Sequence, residues 1–290
     1  MSPIDHFAYG LVTPVASYIM SSTGSLLGLL FAARARGAEG SSRALWLGGA
    51  ALSIGGTGIW VMHFIAMMGF DVMGTSIRYD VPLTVASALL AIVVVGAGLF
   101  LVSHRENSTG ALLAGGLLTG LGVAGMHYLG MAAMNMSAHV SYDPLLVGLS
   151  LIIAVVAATV ALWFSVRVRG ALATTGAALL MGFAVNGMHY TGMFAIGVEL
   201  HDTPAPTSGA QGMDFMLPLL VGISMLSLGL LLAIFLSPSE EEMREDARLL
   251  SQLRRDRPSE NPRPAGSMEP HARPARRHEP SLFDDHGSGH

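Results

Sequence analysis

Gly58-Ile-Trp-Val-Met-His-Phe-Ile-Ala-Met-Met-Gly69 lies near the end of a long apolar run and contains a motif that occurs three times in the chain. The second copy is Met126-His-Tyr-Leu-Gly-Met131, and the third is Met188-His-Tyr-Thr-Gly-Met193. The three histidines, His63, His127 and His189, are separated by 64 and then 62 residues. This regular spacing indicates an internal repeat, with the rest of the chain supporting three copies of one site.

The composition is that of a membrane protein. Of the 290 residues, 51% are hydrophobic and only 12% are charged, whereas a soluble domain has about 25% charged residues. The chain has no cysteine, which excludes disulfides and thiolate metal sites. The stretch 1–6 carries no basic residue, so we expect no cleaved signal peptide and a first apolar span that stays in the protein.

Seven apolar runs are long enough to cross a bilayer, which requires about 20 residues. We therefore predict an all-α, polytopic seven-helix transmembrane bundle over residues 1–236, built from three helical hairpins plus a seventh helix. Each motif falls at the outer end of the second helix of a hairpin. The predicted spans are 10–33, 44–68, 81–103, 110–134, 144–166, 171–196 and 215–236.

The charges in the connections predict the orientation. Arginine accumulates on the cytoplasmic side of a membrane protein, and only Arg78 lies in the other set of connections. The N-terminus is therefore expected outside and the C-terminus in the cytoplasm. Arginines of the inner connections are Arg34, Arg36, Arg43, Arg105, Arg167 and Arg169, and nine more follow residue 237. Acidic residues of the outer set are Asp5, Asp71, Asp80, Asp143, Glu199, Asp202 and Asp214.

The composition changes after Ser237-Pro238. Residues 237–257 have helical spacing and predict a short cytoplasmic helix. Residues 258–290 are rich in proline, arginine, histidine and serine and are predicted to be disordered. The arginine-rich tail is expected to contact anionic lipid or a cytoplasmic signalling partner.

Each motif offers two metal ligands on one helical face. Positions i and i+4 of a helix lie on the same side, so each histidine is paired with the methionine one turn later. Ionisable groups inside a membrane tend to face the bundle interior and mark function. The predicted ligands are His63, Met67, His127, Met131, His189 and Met193.

Imidazole and thioether together favour copper, Cu(I) in particular. Haem iron is the alternative, because His/His and His/Met axial pairs are common. Asn186, three residues before His189, is expected to share its face and orient its ring. The remaining outer histidines, His6, His139 and His201, are expected to be surface residues.

Met188-His189-Tyr190-Thr191 spells the signature of the MHYT-domain family of bacterial membrane sensors, and the other two copies resemble it. The resemblance covers residues 6–236. It implies a seven-helix domain in the bacterial inner membrane, with the motifs near the outer face. It further implies a copper site that senses oxygen, carbon monoxide, nitric oxide or another small molecule. Many members carry cytoplasmic enzymes or DNA-binding domains, whereas this chain resembles a stand-alone form with a short tail.

A metal-dependent sensor is therefore the leading functional hypothesis. A copper transport or delivery protein and a haem-binding membrane protein are the alternatives. The chain shows no nucleophile–base set, paired carboxylates or phosphate loop, so we expect that it is not an enzyme. It also shows no groove of basic and aromatic residues, so we expect no binding of nucleic acid. The first motif has Phe64 where the others have tyrosine, so His63 is expected to be the weaker ligand.

Overall fold

A computed structural model describes residues 4–105, 108–201 and 208–212, together with 214, 248–252 and scattered positions between 218 and 236. In this part of the chain, six helices are long and apolar enough to cross a membrane, which confirms the all-α class and a multi-pass membrane protein. The predicted span 215–236 and the tail lie mostly outside the described residues. The six helices are α1 (Val12–Arg36), α2 (Gly40–Met67), α3 (Val81–His104), α4 (Thr109–Ala132), α5 (Pro144–Arg167) and α6 (Ala171–Phe194).

The six helices form a closed ring in chain order. Each packs against its neighbours in sequence, and α1 returns to pack against α6. The motif helices α2, α4 and α6 therefore alternate around the ring with α1, α3 and α5. Large apolar side chains cover the outer surface of the helices, for example Val85, Leu89 and Val93 on α3, as expected of a surface that faces lipid.

Acidic residues begin α3 and α5. The Oδ1 atom of Asp80 accepts a hydrogen bond from the backbone N–H of Leu83, and Asp143 accepts from Leu145 and Leu146. These bonds satisfy backbone donors that the first helical turn leaves free. The two carboxylates that mark the outer connections in the sequence thus also fix where two spans begin.

Two arginines join helices at the opposite end of the bundle. Arg36, in the last turn of α1, donates to the backbone carbonyls of Ser165 and Val168 at the end of α5. Arg43, near the start of α2, donates to the hydroxyl and the carbonyl of Ser103 in α3. Cations suit the negative C-terminal ends of helices. The arginine-bearing ends are therefore gathered on the side away from the three motifs.

Helix α2 is not a regular α-helix. Residues Leu52–Val61, immediately before the first motif, form a π-helix between two α-helical segments. Here α1 and α2 approach closely, because a Cβ atom on Gly24 would lie 2.3 Å from the backbone nitrogen of Gly58. A π segment has more residues per turn, so it changes the face on which the following residues lie. The hydrophobic pattern of the sequence does not predict it.

Short strands connect the helices at the motif end. The N-terminal strand β1 pairs with β2, β3 pairs with both β4 and β7, and β5 pairs with β6, all antiparallel. These pairs join connections from different repeats into a cap over the motifs. The apolar pattern does not predict them. They are β1 (Ile4–Asp5), β2 (Asp71–Val72), β3 (Arg78–Tyr79), β4 (Met134–Asn135), β5 (Ala138–Tyr142), β6 (Ile196–Leu200) and β7 (Ala210–Gln211).

Candidate metal centre

The three motif histidines meet at the centre of the bundle. His63, His127 and His189 come from α2, α4 and α6, and each is at most 2% exposed. Nδ1 of His63 lies 2.9 Å from Nδ1 of His189 and 3.2 Å from Nδ1 of His127. The ring centroids are 4.9–5.1 Å apart, and the ring planes are inclined by 75–89°. The predicted convergence of the three repeats is therefore present in the fold.

Glycines of the second and third motifs lie against the Nε2 edges of two histidine rings. A Cβ atom on Gly130 would lie 2.3 Å from Nε2 of His63, and one on Gly192 would lie 2.4 Å from Nε2 of His127. Each glycine stands three residues after the histidine of its own motif, where the first motif has Ala66. The histidine of one repeat thus packs against the glycine of the next. All three Nε2 atoms are buried without a hydrogen-bond partner.

The three side chains fit a metal ion. One ring nitrogen from each histidine lies within 4.8 Å of the other two. Three nitrogens bound to one ion at 2.0–2.1 Å would be separated by about 3.3–3.6 Å, slightly more than the 2.9 and 3.2 Å found here. Small movements of the rings would therefore admit an ion. No carboxylate joins this cluster among the described residues, so three imidazoles are the groups that would hold an ion there.

The predicted methionine ligands lie together on the side of the histidines that faces the cap of strands. Met67, Met131 and Met193 are each at most 3% exposed and belong to one cluster of buried side chains. Since each follows its histidine by four residues, this layer lies about 6 Å further along the helices. Met134 belongs to the same cluster and Met68 packs against it. The spacing of the motif places neither of them in a site. The ligand role of the methionines stays a prediction.

A cavity of about 340 Å³ opens over the methionine cluster at the capped end of the bundle. Met67 and Met68 both line it, together with Tyr9, Asp71 and Arg78 of the connections. The buried methionine layer is therefore adjacent to space that polar groups also line. Met68, which the helical spacing places beside the motif, is the partly buried member of this pair.

The prediction for Asn186 is wrong. Its Oδ1 accepts a hydrogen bond from the hydroxyl of Ser17 in α1 at 2.7 Å, and its Nδ2 donates to the carbonyl of Gly182 at 2.8 Å. Both polar atoms are thus engaged in joining α6 to α1 and in its own helix. Sequence spacing gives the face of Asn186 but does not show that Ser17 lies opposite it.

The other outer histidines stay apart from the centre. His139 and His201 are exposed, as predicted. His6 is half-buried, with its ring centroid 4.7 Å from that of Phe194 and 5.6 Å from that of Phe70. Burial lowers the pKa of His6, and the charge of Asp5 opposes this effect. His6 therefore packs into the cap instead of projecting fully into solvent.

The family comparison matches the repeat. The model of the MHYT family, described as a bacterial signalling protein N-terminal repeat, matches residues 56–115 and 120–178. These segments include His63 and His127, and each begins seven residues before its histidine. The repeat unit of the family model therefore begins at the motif, whereas each hairpin predicted from the sequence ends at it. The two descriptions share the same repeat length along the chain.

Curated relatives are signalling proteins. The chain is 42% identical over 193 residues, 65% of its length, to the bifunctional diguanylate cyclase/cyclic di-GMP phosphodiesterase MucR of Pseudomonas aeruginosa. It is 36% identical over 157 residues, 52% of its length, to the cyclic di-GMP phosphodiesterase NbdA of the same species. The signaling protein YkoW of Bacillus subtilis is 31% identical over 208 residues, 69% of the chain.

The chain spans 28% of the length of MucR, 20% of NbdA and 25% of YkoW. No solved structure matches it. The two family repeats contain the first two motif copies, and the relatives are signalling proteins. Six apolar helices bring the three motif histidines to one centre. The chain contains two repeats of the MHYT family, the N-terminal repeat of bacterial signalling proteins.

Proposed function

We propose that this protein is a sensor of the bacterial inner membrane that holds one copper ion between His63, His127 and His189. The observation that carries the proposal is the convergence of three buried imidazoles from three repeats. Bound copper would supply a redox-active centre able to take a small additional ligand. The chain's own residues hold the imidazoles in place and exclude water. Met67, Met131 and Met193 supply soft thioethers on the outer side.

The charge of the site favours Cu(I) over divalent ions. Three neutral imidazoles leave the charge of the ion uncompensated, and no acidic group joins the cluster among the described residues. The cost of burying a charge rises with its square, so a divalent ion costs about four times as much as a monovalent one. Cu(I) also prefers nitrogen and thioether ligands, whereas zinc sites usually include thiolate or carboxylate.

The packing of the rings disfavours haem. A haem held by two axial histidines lies between their rings as a flat macrocycle. Here the ring centroids are only 4.9–5.1 Å apart, and the rings contact one another edge to face. A porphyrin would have to separate α2, α4 and α6, which are closely packed around the histidines. A single ion needs no such rearrangement.

Sensing is favoured over copper transport because the path inward is apolar. Below the histidines the bundle is filled by aliphatic side chains, including Leu99 and Leu162, which are 2–3% exposed. An ion moving towards the cytoplasm would need polar or soft ligands along its way. The space directly beneath the histidines is lined mainly by aliphatic residues, with Ser25, Thr119, Met181 and Met188 as its polar or thioether members, so an ion would meet few ligands there.

The proposed orientation places the copper site near the outer face and the tail in the cytoplasm. Its support is the gathering of Arg36 and Arg43 at the end opposite the motifs and the positive-inside rule. A change at the site, caused by a diatomic gas or by copper or redox status, would alter helix packing and reach a cytoplasmic partner through residues 237–290. The names of MucR and NbdA make cyclic di-GMP turnover the first output to examine.

Elemental analysis of protein purified in detergent after copper loading tests the proposal. We expect one copper per chain, a Soret-free absorption spectrum, and loss of copper in the triple variant His63→Ala, His127→Ala, His189→Ala. A lipid-facing variant such as Leu89→Ala is the matched control and should keep its copper. A Soret band, or copper that remains in the triple variant, would overturn the proposal.

A further inference from the structure

A small cavity lies inside the ring of helices on the cytoplasmic side of the histidines. Its volume is about 50 Å³, and most of its lining is aliphatic. Ile59, Val123 and Val185 contribute one wall each from the three motif helices. Alanines and Leu162 of α5 close another side. The cavity belongs to neither the histidine cluster nor the methionine layer.

The repeat fixes where this cavity lies. Ile59, Val123 and Val185 each precede the histidine of their own motif by four residues. Residues four apart share a helical face and are about 6 Å apart along the axis. The motif helices therefore present three layers to the centre of the bundle: methionine at the outer side, histidine in the middle and this apolar cavity beneath.

The lining selects the kind of molecule that fits. Apolar cavities stay free of water and take up xenon or small apolar molecules. The hydroxyl of Thr119, one of the few polar groups in the wall, already donates to the backbone carbonyl of Val94. An apolar guest thus gains contacts without leaving this hydroxyl unpaired. A volume of about 50 Å³ suits a molecule of about two heavy atoms.

We propose that this cavity is a docking site for a small apolar molecule of diatomic size, held one helical turn below the metal centre. Ala157 and Ala161, partly exposed on α5, mark the side from which such a molecule would enter from the bilayer. Apolar gases concentrate in hydrocarbon, so the lipid supplies them. A sensory role for the occupied cavity rests on the proposed function, whereas the binding itself does not.

Xenon is the probe, because it binds without chemistry and needs no metal. Xenon-129 NMR titration of the full, metal-free chain in nanodiscs should show one saturable site above the background of the lipid. Ala158→Val adds two methyl groups to the wall of the cavity and should weaken xenon binding at least tenfold. Ala97→Val makes the same change on the exposed face of α3 and should leave the binding unchanged. Val185→Ala enlarges the cavity and should retain or strengthen it.

The outcomes separate this proposal from the proposed function. Saturable xenon binding that also persists in the triple histidine variant supports a cavity site independent of copper, even if no copper binds. Equal binding by wild type, Ala158→Val and Ala97→Val would overturn it, as would a wild type that shows only the background of empty nanodiscs. Thermal unfolding of each variant shows whether a loss of xenon binding comes from misfolding. If Ala158→Val is misfolded, Val185→Ala decides: retained or stronger xenon binding supports the cavity site, and loss of binding in the folded variant overturns it.

Discussion

Gly130 of the second repeat lies directly against His63 of the first, so closely that a Cβ atom there would stand 2.3 Å from Nε2 of the ring. Gly192 of the third repeat stands in the same relation to His127. The motif therefore supplies more than candidate ligands. The glycine of the second and third copies leaves the space that the imidazole of the preceding repeat occupies. This packing holds the three repeats together around one centre.

Alanine at Gly130 or Gly192 should damage the metal centre. The added methyl group cannot coexist with the imidazole in its present position, because contacts under about 3.0 Å are essentially never formed by a real Cβ atom. His63 or His127 must then rotate or move away from the other two. We expect copper affinity, measured by competition with a chromogenic Cu(I) chelator, to fall at least tenfold in each variant.

Two other glycines on the same helices are the controls for this experiment. Nothing lies within 4 Å of a Cβ atom on Gly187, and only a leucine methyl group at 3.8 Å approaches one on Gly125. Alanine at either position should keep copper and stabilise its helix by about 0.5–1 kcal/mol. Copper loss of the same size in all four variants would show that the glycines act through folding and not through the rings.

His63 is predicted to be at least as important for copper as the other two histidines. Its Nδ1 is the atom that lies within 3.2 Å of both neighbours, although its less faithful motif alone predicts a weaker ligand. Copper titrations of the single variants His63→Ala, His127→Ala and His189→Ala compare the two expectations. A clearly smaller loss for His63→Ala would favour the sequence-based expectation over the geometric one.

Asn186 is predicted to stabilise the contact between α1 and α6 without serving the metal. Asn186→Ala removes the acceptor of the Ser17 hydroxyl, and the lost buried hydrogen bond should cost about 1 kcal/mol in the free energy of unfolding. Thr191→Ala, which removes a hydrogen bond within α6 only, is the control and should cost less. Reduced copper content with unchanged stability in Asn186→Ala would restore its predicted role beside His189.

Tyr79 should make the cap sensitive to alkaline pH. Burial raises the pKa of this tyrosine from 10.0 to about 12, so the folded state keeps the proton that the unfolded state releases near pH 10. Stability is therefore fully present below pH 10 and declines towards pH 12, by up to about 2–3 kcal/mol. Thermal unfolding across this range should show a shallower decline for Tyr79→Phe. Parallel curves of stability against pH for the wild type and Tyr79→Phe would contradict this role of Tyr79.

The sequence predicts the long apolar helices and the convergence of the motif histidines because both follow from local rules. Run length identifies the helices, and the repeated His-x-x-x-Met spacing identifies the helical faces on which the candidate ligands lie. Six spans appear with ends within a few residues of the prediction, and His63, His127 and His189 converge.

The missed features all depend on contacts between distant residues. The partner of Asn186, the packing of Gly130 against His63 and the strands of the cap require knowledge of which helices are neighbours. The π-helix at Leu52–Val61 coincides with the close approach of Gly24 and Gly58, which no local pattern records. Glycine at the fifth position of two motifs was a visible signal, but it reads equally well as ordinary helix packing.

X-ray absorption at the copper K-edge of the loaded, purified protein shows directly which atoms surround the ion. We expect the edge of Cu(I) and nearest neighbours that are mainly histidine nitrogens, with imidazole outer-shell scattering that disappears in the triple histidine variant. Nearest neighbours that are mainly oxygen or sulfur, or a spectrum that the triple variant leaves unchanged, would contradict a copper ion held by His63, His127 and His189.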